Sequence, residues 1–261
     1  MSSTIHVSRE PAVQYLLRLG DTCLILAQRL GEWCGHAPVL EEDIALTNMA
    51  LDLIGQARGV LTRAGELEAK LGGMAHDEDE LAFLRNERDF FNLTLVELPR
   101  GDFAVTVLRN FAVATFLKLL WHRLAASNDD EVVGIAAKAV KEASYHQQHA
   151  GDWVLRLGSG TEESRRRLQE AVDALWPYMP EMFEADAVDE HAAGVGLGPR
   201  WADLQADWMA EVAPVLQEAG VVAPAVRAFR STGKTGVHSE HMGYILAEMQ
   251  HLHRAHPGGV W

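Results

Sequence analysis

ALTNMALDLIGQARGVLTRAGELEAKL, residues 45–71, decides the architecture. Its apolar side chains recur at Leu46, Leu53, Val60 and Leu67, interleaved with Ala50, Ala57, Ala64 and Leu71, a seven-residue repeat held for more than three heptads. Seven residues make close to two helical turns, so these positions share one face, and the spacing predicts a single bundle helix from about 41 to 71. Upstream, Tyr15, Leu16, Leu19, Cys23, Leu26 and Leu30 mark a first helix that should end near GHAP at 35–38. Downstream, DEDELAF (77–83) and FNLTLVELPRG (91–101) predict one short helix and a loop punctuated by Pro99 and Gly101.

A third long helix is expected from about 102 to 127, apolar almost all round and therefore buried. A fourth should be capped by Asp129 or Asp130. It carries Val132, Ala136, Ala139, Ala143, His146, Ala150 and Val154 on one stripe and ends at Gly158 or Gly160. Strand signals are nearly missing. Four long helices with their longest interruption between the second and third predict an all-α fold, a ferritin-like four-helix bundle with a crossover connection. N-cap residues at Thr161 and Ser239 and a Pro-led start at Pro199 add three C-terminal helices, making one domain over 1–261.

The chain has 23 Lys+Arg against 37 Asp+Glu, a formal charge of −14. Such an acidic surface does not suit a nucleic-acid binder, which needs clustered cations to displace counterions, and it disfavours an anionic membrane. The longest apolar stretch, 103–121, is interrupted by Arg109, Asn110 and Lys118, and the N-terminus lacks the basic and apolar regions of an export signal. Cys23 and Cys34 would lie roughly 16 Å apart along one helix, too far to bridge. A cytoplasmic protein with reduced thiols is the expectation.

Ferritin-like bundles often hold two irons with a Glu from each of two helices and a Glu-x-x-His from each of the other two. That donor set is not assembled. Residues 103–128 contain no Asp or Glu, although acids make up 37 of the 261 residues. On the second helix the inward positions are Leu53 and Gln56, and on the fourth Ala143 stands three residues before His146, with Glu142 one step round the helix. His146 is the residual candidate ligand, read more readily as a core imidazole bonded to a neighbour, and His149 could pair with it only as a weak metal site. Glu248 and His251, the only literal Glu-x-x-His, fall on a flank of the last helix and read as a surface pair. Nucleophile elbows and phosphate loops are absent.

RLGDTCLILAQRLGEWCGHAP (18–38), ALTNMALDLIGQARGVL (45–61), KAVKEASYHQQHAGDWVLRLGSGT (138–161) and GVHSEHMGYILAEMQ (236–250) closely resemble the C-subunit family of the bacterial phenylacetyl-CoA epoxidases, from about residue 11 to the end. The resemblance implies a ferritin-like, structural subunit paired with a homologous catalytic subunit that holds the di-iron centre, with no cofactor in this chain. By the same pairing, the catalytic relative carries Glu and His in place of Leu53 and Gln56, and Glu in place of Ala143. It further implies other epoxidase subunits, including a flavin and iron–sulfur reductase that supplies electrons. Isolated, such a chain could form a homodimer.

Residues 219–239 carry Arg227, Arg230 and Lys234 but no acid, and Gly233, Lys234 and Gly236 precede a helix start. A Gly-flanked cation before a helix N-terminus can cradle phosphate, so these three are the candidate contacts for the phosphates of coenzyme A, against the simpler reading of a chance lull in acids. The competing functions are an independent ferritin-like metal-binding oxidoreductase and a helical scaffold for another complex.

Overall fold

The computed structural model describes residues 4–225 and 227–259. Ten α-helices are found among them: α1 (Pro11–Gly31), α2 (Leu40–Lys70), α3 (Glu78–Phe83), α4 (Thr94–Glu97), α5 (Phe103–Leu124), α6 (Asp130–Ser159), α7 (Glu162–Leu175), α8 (Ala187–Gly194), α9 (Gln205–Glu218) and α10 (Glu240–Ala255). The only β pairing among the described residues is an isolated bridge between Ile5 and Arg85. α1 with α2, and α5 with α6, form two tightly packed hairpins, because the short connections at 32–39 and 125–129 return the chain antiparallel. The crossover at 71–102 joins the hairpins, giving the ferritin-like bundle its topology.

Helix starts follow local chemistry. Asp102 accepts from the Val105 amide (3.0 Å), Asp129 from Val132 (3.2 Å), Thr161 from Ser164 (3.1 Å) and Ser239 from His241 (3.3 Å), each satisfying an amide without an intrahelical acceptor. The Pro199 start needs correction. Pro199 leads into a 3-10 turn, Trp201–Leu204, and the α-helix begins only at Gln205. The sequence patterns also miss α8 and a long 3-10 segment, Trp176–Phe183. Pro177 and Pro180 in that segment lack the N–H groups that a continuous α-helix would require.

α5 is the central column. It is long and apolar enough to cross a membrane, yet most of it lies inside the bundle, Arg109 and Asn110 included. Phe111, Phe116 and Trp121 are essentially fully buried, each worth roughly 1.5–3 kcal/mol by area. α2 turns its heptad face inward, with Leu46, Leu53, Val60 and Ala64 buried. Gly65 is needed there, since a Cβ at that position would stand 1.9 Å from the His76 carbonyl oxygen where the crossover folds back on the helix.

Candidate functional site

The place in the bundle where a di-metal centre would need ligands is filled by one carboxamide. Gln56 of α2 is 3% exposed, and its Oε1 accepts from the Trp121 indole on α5 (3.1 Å) and from the Cys23 thiol on α1 (3.8 Å). Its Nε2 donates to Glu142 on α6 (3.0 Å). All four bundle helices are thus tied through a neutral group, whose two ends supply the acceptor and donor that these partners need. Burial pushes the Cys23 thiol up, so it stays protonated and suits the donor role. Leu53 and Ala143 are buried apolar side chains of α2 and α6.

Along the seam between α2 and α6, His146 is 1% exposed and its Nε2 lies 3.0 Å from Asp52. Burial lowers the His146 pKa, and the Asp52 carboxylate only partly opposes this. The imidazole is therefore a neutral donor to Asp52 near pH 7. His149 approaches Glu42 at 3.0 Å, and Lys138 holds the outer oxygen of Glu142 at 3.2 Å. Outside this seam a groove of about 250 Å³, floored by Gly55, Gly59 and Gly134, reaches Gln56 and Glu142.

This donor set does not fit a di-iron centre. Paired irons need several carboxylate oxygens that bridge and neutralise them, whereas the centre presents an amide, a protonated thiol, an indole N–H, aliphatic carbons and the single carboxylate of Glu142, already engaged by Gln56 and Lys138. His146, the one residual ligand candidate, already engages Asp52. Glu248 and His251 are both exposed on α10.

The basic segment is arranged differently from a surface phosphate cradle. Lys234 is 5% exposed and points inward, with its ammonium donating to the Glu184 carbonyl (2.7 Å), lying 3.5 Å from Asp189 and 4.8 Å from the Trp201 ring centre. Arg18 of α1 closes the cluster with a fork onto Asp186 (2.9 and 2.5 Å) and a bond to the Lys234 carbonyl (3.2 Å). The Glu181 carboxylate receives the amides of Thr94 (2.7 Å) and Lys234 (3.2 Å). Burial lowers the Lys234 pKa against the pull of Asp189, and burial raises that of Glu181. The flanking glycines permit close packing: a Cβ on Gly233 would lie 2.3 Å from the Asn92 oxygen, and Gly236 has φ +80° with its Cβ direction 2.5 Å from the Arg88 oxygen. Lys234 is an internal anchor. Arg227 and Arg230 remain exposed.

A family model described as phenylacetic acid catabolic protein matches residues 1–261 of this bundle. The chain belongs to the phenylacetic acid catabolic protein family. Within the family it is similar to the C subunit of the 1,2-phenylacetyl-CoA epoxidase of Escherichia coli strain K12, with 48% identity over 249 residues, covering 95% of this chain and 98% of that protein. Sequence reasoning singled out Gln56, Leu53, Ala143 and His146, all of which are buried in the bundle. It missed Cys23, Trp121 and Asp52 as their partners, since apolar periodicity places a residue on a face but does not say which side chain across the core it meets.

Proposed function

We propose that this chain is a non-catalytic, structural subunit of a multicomponent phenylacetyl-CoA epoxidase of aerobic phenylacetate degradation in the cytoplasm. Its partner would be the homologous catalytic subunit, which would hold the di-iron centre and oxidise the ring, while a reductase component delivers electrons. The observation that carries the reading is the Gln56 carboxamide, which ties Cys23, Trp121 and Glu142 together where, by the resemblance, a metal-bearing relative places a ligating His. The near full-length similarity to the C subunit of an epoxidase supplies the substrate class. Contacts to coenzyme A phosphates, if made by the basic segment, fall to Arg227 and Arg230, because Lys234 is committed to Asp189 and Glu184.

Co-expression with the catalytic partner, followed by size exclusion, metal analysis and turnover of phenylacetyl-CoA, tests this. The two chains should co-elute, all iron should be accounted for by the partner, and the partner alone should lose activity or solubility. Separate elution at micromolar concentration with full activity of the partner alone would sink the proposal, as would two irons bound to this chain.

A further inference from the structure

At the end of the bundle where α1 finishes and α5 begins, two arginines are buried with donors left over. Arg109 is 0% exposed. Its Nη1 donates to the carbonyls of Leu98 (2.7 Å) and Pro99 (3.1 Å), while Nε and Nη2 have no partner among the described residues. Arg29 is 8% exposed; it pairs with Glu32 through Nη1 and donates through Nη2 to the Glu97 carbonyl (2.6 Å), leaving Nε unused. The acceptors are carbonyls of three successive residues, 97, 98 and 99, which sets the two guanidiniums side by side. Arg100 adds a third cation, stacked on Trp33 at 4.5 Å and donating to the Glu32 carbonyl (2.7 Å).

The charge does not balance. Three guanidiniums meet one carboxylate, Glu32, and the helix beneath them carries no acid. Burial, and then the neighbouring Arg29 charge, draw the Arg109 pKa down to about 10, so it still carries its proton at neutral pH. Buried charge without a counter-charge and buried N–H groups without acceptors are both costly, and proteins resolve them by pairing. The free Nε and one Nη of a guanidinium form the planar edge that grips an anion with two parallel bonds.

We propose that Arg109, through Nε and Nη2, and Arg29, through Nε, hold a small inorganic monoanion of halide size at this end of the bundle. The burial of Arg109, 0% exposed, and of Arg29, 8% exposed, restricts the ligand to an ion of this size and excludes a coenzyme or a peptide carboxylate. The ion supplies the missing acceptor and the missing negative charge together, and so fastens the Glu97–Pro99 turn between α1 and α5. Such a site is independent of the epoxidase reading and needs no partner chain.

Two measurements on the full chain test it. In crystals grown with sodium bromide, an anomalous peak should appear between Arg109 and Arg29. In solution, replacing gluconate by chloride at constant ionic strength should raise the thermal midpoint by about 2–4 °C, saturably. Arg109→Met should abolish that dependence. Arg29→Lys, which keeps the charge but loses the Nε donor, should shift the half-maximal chloride concentration upward several-fold. No bromide peak, equal midpoints in chloride and gluconate, or a crystal peak without chloride dependence in solution would each overturn the proposal. Should Arg109→Met not fold, the wild-type anion exchange and Arg29→Lys decide the matter unaided.

Discussion

Gln56 shows how one atom pair changes what a bundle can do. Replacing it by Met keeps the volume and removes the acceptor of Trp121 and the donor to Glu142, which should cost about 1–3 kcal/mol in urea unfolding with an unchanged slope. Gln56→Glu sets a second carboxylate against Glu142 and should cost about 3 kcal/mol or more at neutral pH, recovering on acidification; equal stability of this variant and the parent would refute the arrangement. Two buried histidines should pull stability in opposite directions. For His146 the folded pKa lies below the ordinary 6.5, so the unfolded chain binds more protons and stability is lost as pH falls through 6.5 and lower. For His238, burial is outweighed by the Glu97 carboxylate and the Phe90 carbonyl, and the folded pKa is raised. Its contribution is complete below pH 6.5 and is lost as pH rises through the folded value. His146→Leu should therefore flatten the acid limb of a stability–pH curve and His238→Gln the neutral-to-alkaline limb, and identical curves for both variants and the parent would contradict the assignment.

The helical elements were legible because their punctuation is local. Asp102, Asp129, Thr161 and Ser239 each cap the helix that follows, and the heptad of α2 is read directly from residues 45–71. The burial of Lys234 was not legible for the converse reason: its ion partner Asp189 lies 45 residues away in sequence, and its glycine neighbours pack closely against Asn92 and Arg88, which a local motif does not reveal. Its burial sets the expected phenotype. Lys234→Glu should set an acid among Glu181, Asp186 and Asp189, destabilise by about 3–5 kcal/mol and expose the 231–238 segment to protease, before any effect on a Michaelis constant appears. An unaltered cleavage pattern and melting curve would return Lys234 to the surface. Gly65→Ala tests the fold-back of the crossover: with the His76 carbonyl 1.9 Å from the new methyl carbon, the loop must move, and a loss of about 1–3 kcal/mol is expected.

For the whole molecule, the middle of the bundle is packed by amino-acid side chains. One apolar cluster runs from Val7 to Leu246 through all four bundle helices, and at its centre Gln56 pairs with Cys23, Trp121 and Glu142. Chelation should therefore leave the fold untouched: exhaustive dialysis against EDTA should not shift the thermal midpoint, whereas a bundle braced by structural metal would lose stability with its ion. A drop of several degrees would show that a metal contributes to the fold. A carboxamide hydrogen-bonded to a protonated thiol and an indole has another consequence. The amide, the indole and the thiol, which is already reduced, take up no electron from a biological reductant. Titrated with a strong reductant under anaerobic conditions, the isolated chain should consume no equivalents and show no spectral change. Every electron entering an assembly that contains it would then be conserved for other chains, with none stored here.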